Sequence, residues 1–186
     1  MRLRAAYFDD LYARDPDPWD FATSEYEAAK YDATIAALEP PYASALEVGC
    51  SIGVLTARLA ERCERLLAID VAESALEQAR ARAPRATFER LEIPEEWPDG
   101  PFDLIVCSEV LYYLDRVALD RAIDEIERTL APAGSLLAVH WRHRTRTYPL
   151  LGDDVHGRLR ELGWPRGVVR PTSDYLLERF DRPCGS

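Results

Sequence analysis

Glu47, Gly49, Gly53 and Asp70 are the residues whose types and spacing most directly suggest chemistry. The apolar run 45–48 leads into a turn bounded by two glycines, and a second apolar run, 66–69, ends in the Asp70 carboxylate. A glycine turn between a strand and a helix lets the backbone approach a ligand closely, because no side chain stands in the way. An acid at the tip of the next strand is placed to accept hydrogen bonds from a ribose diol. Together these features predict a nucleoside-containing cofactor at the carboxyl edge of a parallel sheet.

The turn also discriminates between cofactors. A dinucleotide site needs G-x-G-x-x-G, so that a pyrophosphate can rest on exposed backbone at a helix N-terminus. The pattern here is Glu47-x-Gly49-x-x-x-Gly53, with Ser51 where the middle glycine would stand. A carboxylate at position 47 repels a pyrophosphate and attracts an ammonium. S-adenosylmethionine carries an ammonium, a sulfonium and a ribose but no phosphate, so the electrostatics favour it, and its product S-adenosylhomocysteine, over a nicotinamide or flavin dinucleotide.

The elements that must position these residues alternate between strand and helix. An acidic, aromatic N-terminal arm is mostly helical, broken at Asp15-Pro16-Asp17-Pro18-Trp19, where the prolines exclude continuous helix. A second arm helix is expected from near Ser24, its N-cap, to Leu38, before Pro40-Pro41. Strands are expected over 45–48, 65–69, 86–90, 102–107 and 135–141, with helices over 53–62, 72–82, 116–130 and 153–162. Phe102 to Cys107 is a continuous apolar run of the kind a buried parallel strand requires. Leu119, Ile123, Ile126 and Leu130 share one helical face. Pro132-Ala133-Gly134 is expected as the turn into the fifth strand, and 167–170 with 175–181 as a closing strand pair. The expected fold is a Rossmann-like, doubly wound α/β sheet of about seven strands, mostly parallel, with a C-terminal antiparallel hairpin. One domain over 1–186 is expected, with a helical arm or lid over 1–40 and the core over 41–186.

Composition narrows the partners. The 186 residues carry a net charge of −10, which disfavours a nucleic-acid backbone and favours a neutral or cationic small molecule. No apolar run approaches the roughly 20 residues of a membrane span, and no secretory segment opens the chain. The four cysteines, Cys50, Cys63, Cys107 and Cys184, show no metal-ligand spacing. A reduced, cytoplasmic protein without a metal is expected.

The residues Glu47-x-Gly49-x-x-x-Gly53, Asp70, Phe102-Asp103-Leu104-Ile105 and Pro132-Ala133-Gly134-Ser135 resemble the class I S-adenosylmethionine-dependent methyltransferases. Ser108 to Leu114, His140-Trp141-Arg142, Tyr148-Pro149-Leu150 and Gly152 to His156 are similar more narrowly to the NodS-type nodulation methyltransferases. That resemblance implies methyl transfer to an amine of an aminosugar or oligosaccharide. It also implies an acid near the adenine amine, best matched by Glu92, with glutamate where aspartate is commoner.

On this reading Glu47 meets the cofactor ammonium or is a solvated strand-end carboxylate, Gly49 and Gly53 give backbone clearance, and Asp70 accepts from the ribose or caps the next helix. Glu92 and Ile93 bracket adenine, unless Glu92 is only a surface loop acid, while Cys50, Ser51, Val71 and Ser108 complete the cofactor set. Trp19, Tyr26 and Tyr31 are candidates for a lid over the methionine end, or aromatic glue for the arm. Glu109, just past the fourth strand, is the first candidate to hold a substrate ammonium and take its proton; its rival role is that of an acid at a helix N-terminus. His140 is either a general base or a structural strand-end histidine. Tyr112, Tyr113 and Trp141 either stack on a sugar face or pack the core, and Arg142 opens a basic loop suited to an anionic substrate group. The expected activity is methyl transfer to a small acceptor, preferably an aminosugar nitrogen. Transfer to a hydroxyl of a sugar or other small metabolite, or a non-catalytic cofactor-binding subunit, are the alternatives.

Overall fold

The computed structural model describes residues 2–39 and 41–185. Pro40, expected to help stop the second arm helix, lies outside the described residues. Strands and helices alternate from the first glycine turn onward, and the seven strands take the order β3-β2-β1-β4-β5-β7-β6 in a single sheet. β1 (Tyr42–Val48), β2 (Cys63–Asp70) and β3 (Thr87–Arg90) are parallel neighbours. β4 (Phe102–Ser108) and β5 (Leu130–Trp141) are also parallel, whereas β7 (Tyr175–Asp181) runs antiparallel to both β5 and β6 (Arg166–Pro171). The mostly parallel sheet with a C-terminal antiparallel pair is the fold that the strand patterns predict. The described residues divide into two compact units, one over Arg4–Glu92 and one from Ile93 onward, the latter joined by Arg2 and Leu3.

In the N-terminal unit, α1 (Ala5–Arg14) and α2 (Glu25–Ala36) form the arm. The Asp17 carboxylate accepts the backbone N–H groups of Phe21 and Ala22, both at 2.9 Å, and so stabilises the proline-broken turn between them. Ser24 caps α2 by accepting the Glu27 N–H at 3.3 Å. The arm is seated by an apolar cluster of Tyr12, Ile52, Ala72 and Ala75, flanked by Phe8, Trp19, Phe21 and Val54. The first helix after the glycine turn, α3 (Val54–Leu59), is shorter than its sequence pattern predicts: Gly53, at φ +80°, is its cap, and past Leu59 the chain tightens into turns in which Glu61 and Arg62 donate to the Arg58 and Leu59 carbonyls. α4 (Glu73–Arg82) follows β2 with Ala75, Leu76 and Ala79 buried.

In the C-terminal unit, α5 (Arg116–Thr129) buries Leu119, Ile123 and Ile126 as the spacing predicts, and Asp115 caps it through the Ala118 N–H at 3.2 Å. The segment Pro132-Ala133-Gly134 departs from expectation. It lies inside β5 and not before it, with a register irregularity against β4 between Phe102 and Leu104 and φ +61° at Ala133. α5 passes into β5 with no loop, so the extra residues are absorbed as a kink in the strand. α6 (Gly152–Arg160) begins against β5. A Cβ on Gly152 would lie 2.4 Å from the Trp141 carbonyl oxygen and 2.9 Å from His140 Cβ, so only glycine allows this approach. β6 closes the end of the sheet, with Arg166, Gly167, Val169, Arg170 and Pro171 exposed. Among the described residues no helix is long and apolar enough to cross a membrane.

Gly53 meets a second constraint besides its torsion. A Cβ there would sit 2.8 Å from Ala79 Cα and 2.9 Å from Ala79 Cβ on α4. Gly53→Ala combines left-handed strain with a backbone clash and is expected to cost about 2–4 kcal/mol in urea unfolding.

Candidate functional site

The turn after β1 is built from backbone conformations that ordinary side chains avoid. Gly49 and Gly53 take φ +77° and +80°, and Ser51, between them, takes φ +50°. Such a loop persists only where its surroundings over-determine it. Asp70 supplies that restraint, accepting the Ser51 N–H at 2.8 Å and the Ala72 N–H at 2.9 Å. The Gly49 and Cys50 N–H groups both donate to the Ile69 carbonyl, at 2.8 and 3.0 Å. The Ser51 hydroxyl is hydrogen-bonded to the phenol of Tyr12, which ties α1 to the turn. Arg82 reaches back to the Ile52 carbonyl. Tyr12 was not legible as a site residue, because no local pattern links α1 to a turn forty residues away.

The turn is electronegative. Glu47 is 2% exposed, and burial pushes its carboxyl up to about 8; the Thr56 hydroxyl beside it opposes that shift and the Asp70 charge adds to it. Neither Glu47 Oε2 nor Thr56 Oγ1 meets a partner in hydrogen-bond geometry. Burial, opposed by the N–H groups of Ala72, Ser51 and Val71, also raises Asp70, although its side chain is only half-buried. A protonated Glu47 with an orphaned oxygen, beside an Asp70 raised from its ordinary value, is an arrangement suited to a cation with hydrogen atoms to donate.

The remaining expected cofactor residues divide between the turn and other places. Cys50 is a core thiol packed with Ala68 and Leu76 under Phe88, so only its backbone faces the turn's geometry. Val71 follows Asp70 and presents its carbonyl to Arg90 Nε at 2.9 Å. Glu92 is half-buried and meets Arg4 at 3.2 Å; Ile93 is half-buried in the C-terminal unit. Trp19 packs on the turn with Phe21, stacked at 5.4 Å, and Tyr12, edge-on at 5.8 Å. Tyr26 and Tyr31 lie elsewhere on the arm. Tyr26 is exposed beneath the Lys30 ammonium at 5.3 Å, and Tyr31 is buried under the Arg58 guanidinium at 5.5 Å.

In the C-terminal unit the chain beyond β4 gathers a second constellation. Ser108 ends β4 half-buried, and Glu109 follows with φ +56°. One Glu109 oxygen accepts from the Tyr112 hydroxyl at 2.6 Å and from the Trp141 N–H at 2.9 Å. Glu109 therefore does more than sit at a helix N-terminus; β5 and the single-turn 3₁₀ helix Leu111–Tyr113 both hold it. The Tyr112 ring stacks on Tyr148 at 5.0 Å and meets Tyr113 edge-on at 4.8 Å, and the Tyr113 and Tyr148 hydroxyls are 3.5 Å apart. Burial, reinforced by the Glu109 charge, keeps the Tyr112 phenol un-ionised, and burial does the same for Tyr113. The half-buried Trp141 ring lies 5.0 Å from the His143 ring.

Two expectations here need correction. His140, read as a possible base, is wholly buried, and its ring nitrogens meet the Leu111 N–H at 3.3 Å and His156 at 3.2 Å. A ring without exposure, occupied on both nitrogens, cannot accept a proton from a ligand. Arg142, read as a substrate contact, grips both Asp153 oxygens through Nε at 3.1 Å and the Thr172 carbonyl through a terminal nitrogen at 2.8 Å. Its guanidinium belongs to the fold's own joints. Glu178 was missed, and Tyr148 and His156 were read only as motif residues without a role, since stacking and hydrogen-bond contacts between distant segments are not visible in a local pattern.

The Glu47 shift has a measurable consequence for folding. The folded carboxyl titrates at about 8, against roughly 4.3 in an unfolded chain. The stability of the neutral, buried form is thus fully present below the lower value and is lost as pH rises through the upper one. Glu47→Gln, which cannot ionise, is expected to gain stability relative to the parent between pH 5 and 8, reaching about 2–5 kcal/mol and then levelling off. Denaturant unfolding across that range reads the trend, and a difference independent of pH would refute a neutral Glu47.

A family model described as Nodulation protein S (NodS) matches residues 6–146. Nodulation protein S of Bradyrhizobium diazoefficiens is 39% identical over 127 residues, covering 65% of this chain and 61% of that protein. That of Rhizobium tropici is 35% identical over 127 residues, covering 65% of this chain and 53% of that protein. The chain therefore spans between about half and two thirds of the length of these curated relatives. An uncharacterised methyltransferase of Mycobacterium tuberculosis (strain H37Rv) is 34% identical over 140 residues, covering 74% of this chain and 51% of that protein. Among solved structures, N-methyltransferase NodS from Bradyrhizobium japonicum WM9, in complex with S-adenosylhomocysteine, superposes with a TM-score of 0.85 at 29% identity. It is matched over 96% of this chain and 98% of that one. With the glycine turn, the Asp70 clasp and a family match over most of its length, this chain belongs to the nodulation protein S family.

Proposed function

We propose that the protein transfers a methyl group from S-adenosylmethionine to an amine of a small acceptor, preferably an aminosugar or a short aminosugar oligomer. The observation that carries the cofactor reading is the orphaned, buried Glu47 oxygen beside a glycine turn clasped by Asp70. An ammonium donates to that oxygen, and ionisation of Glu47 then gains a partner where none existed. Asp70 keeps lone pairs for ribose hydroxyls, since a carboxylate accepts about four hydrogen bonds and two backbone donors are in place. The solved relative, an N-methyltransferase holding S-adenosylhomocysteine, supports the same reading.

Bound at this turn, S-adenosylmethionine supplies an electrophilic methyl carbon. The protein's own residues supply position and proton handling. Tyr12 and Trp19 close the arm over the turn and keep water from it. Glu109 holds the acceptor ammonium and takes its proton, which frees the nitrogen lone pair for in-line attack. The Tyr112 hydroxyl and Trp141 N–H fix the Glu109 carboxylate while it does so. The half-buried rings of Tyr148 and Trp141 suit a sugar face, with the buried Tyr112 stacked behind Tyr148, and the net charge of −10 suits a cationic acceptor.

Calorimetric titration with S-adenosylhomocysteine tests the cofactor reading. Micromolar binding is expected, with NAD inert, and affinity should climb as pH rises from 6 towards 8 because ammonium binding must strip the Glu47 proton. At pH 7 that linkage releases about 0.9 proton per site. Asp70→Ala should weaken binding at least tenfold through lost charge-assisted hydrogen bonds, and Glu47→Gln should erase the pH dependence. Equal binding of NAD, or no binding of either ligand, would overturn the reading.

Glu109→Gln separates the acceptor role from the cofactor role. It should bind S-adenosylhomocysteine within twofold of the parent and lose at least tenfold in turnover of a glucosamine oligomer. Tight cofactor binding with no turnover across amine and hydroxyl acceptors would point instead to a non-catalytic partner subunit.

A further inference from the structure

A chain of buried polar groups runs behind Glu109 and is not consumed by the proposed chemistry. His140 on β5, His156 on α6 and Glu178 on β7 are all fully buried. His140 Nε2 faces the Leu111 N–H at 3.3 Å, His140 Nδ1 faces His156 Nε2 at 3.2 Å, and His156 Nδ1 faces a Glu178 oxygen at 2.7 Å. Arg160 and Arg166 approach the same carboxylate at 3.1 and 2.9 Å. Burial alone would raise Glu178, but hydrogen bonds from His156, Arg166 and Arg160 outweigh it and hold the group at about 2.

The proton positions follow from these partners. A backbone N–H only donates, so His140 Nε2 must present its lone pair to Leu111. The ionised Glu178 only accepts, so His156 Nδ1 must carry a proton. Burial lowers His156 and keeps it neutral, which leaves its Nε2 as an acceptor. His140 Nδ1–H then donates to His156 Nε2. Every donor along the chain points the same way, from Leu111 towards Glu178, and turning either ring's tautomer over sets two hydrogens or two lone pairs against each other.

What this chain holds is the acceptor-side constellation. Leu111 opens the 3₁₀ turn that carries Tyr112, and the His140 ring also meets Tyr112 edge-on at 5.4 Å. Tyr112 donates to Glu109, and Trp141, the residue after His140, donates to the same oxygen. Gly152 allows α6 to close on β5 tightly enough for His156 to reach His140. We propose that His140, His156 and Glu178 are positioning residues, a proton-ordered chain that sets the Glu109–Tyr112 pair against the acceptor without exchanging protons with it. This inference rests on the reading of Glu109 as the acceptor-holding group.

Long-range ¹H–¹⁵N NMR on protein labelled at histidine tests the order directly, with His143→Gln assigning the one exposed ring. At pH 7.5 both His140 and His156 should be protonated at Nδ1 and bare at Nε2; a proton on Nε2 of either ring would overturn the chain. Function is read with the fully deacetylated chitin tetramer as acceptor. His156→Leu should raise its KM at least tenfold while S-adenosylhomocysteine affinity stays within twofold. Glu178→Gln, which keeps an accepting oxygen for His156, should recover most of what Glu178→Leu loses. A folded His156→Leu with parental acceptor KM would refute the positioning role. If that variant does not fold, the tautomers in the parent decide. If the parent binds S-adenosylhomocysteine but ignores the tetramer, the acceptor reading fails while the NMR result still judges the chain.

Discussion

Asp70 holds the first glycine turn in place. Its two oxygens take the N–H groups of Ser51 and Ala72, so one side chain at the end of β2 stabilises both a strained turn and the start of α4. Three residues at positive φ within five positions would not stay ordered on their own. The clasp also places the Ser51 hydroxyl where Tyr12 can reach it, and through Tyr12 the whole arm is registered on the turn. Ser51 thus gains something that glycine at the same position would not supply, a side-chain handle for α1.

Glu47 shows the opposite economy. A carboxyl wholly buried with an orphaned oxygen weakens the ligand-free fold at neutral pH. Proteins accept such local penalties where a ligand will resolve them, and removing the penalty generally removes the function with it. Glu109 is handled differently, since two donors hold it in advance of any ligand. One acid is left with an unmatched oxygen and the other is held by two donors.

Much of this was legible in the sequence because the signals were local. The continuous apolar run of β4, the one-sided stripe of α5 and the glycine-and-acid spacing around the first turn each point to one structure. Boundaries failed where local chemistry was misleading. β1 begins at Tyr42 and not at Ala45, since small and polar residues 43 and 44 disguise its start, and Pro132-Ala133-Gly134 looks like a turn yet continues β5 as a kink. The contacts that went unread, those of Tyr12, Tyr148, His156 and Glu178, join partners distant in the chain. For the same reason the sequence left His140 open between base and structural residue and offered Arg142 to a substrate, while His156, Asp153 and Thr172 already occupy them.

The last strand added to the sheet raises a problem of a different kind. Among the described residues no strand lies on the outer side of β6, which leaves one row of backbone donors and acceptors as a template on which another chain can build. Arginines at positions 166 and 170 and a proline at 171 occupy that border. Pro171 lacks the N–H that an incoming strand would need, and like charges would repel the same border of a second molecule. The border is thereby guarded against intermolecular β-pairing, and the antiparallel pair can end the sheet without seeding aggregation.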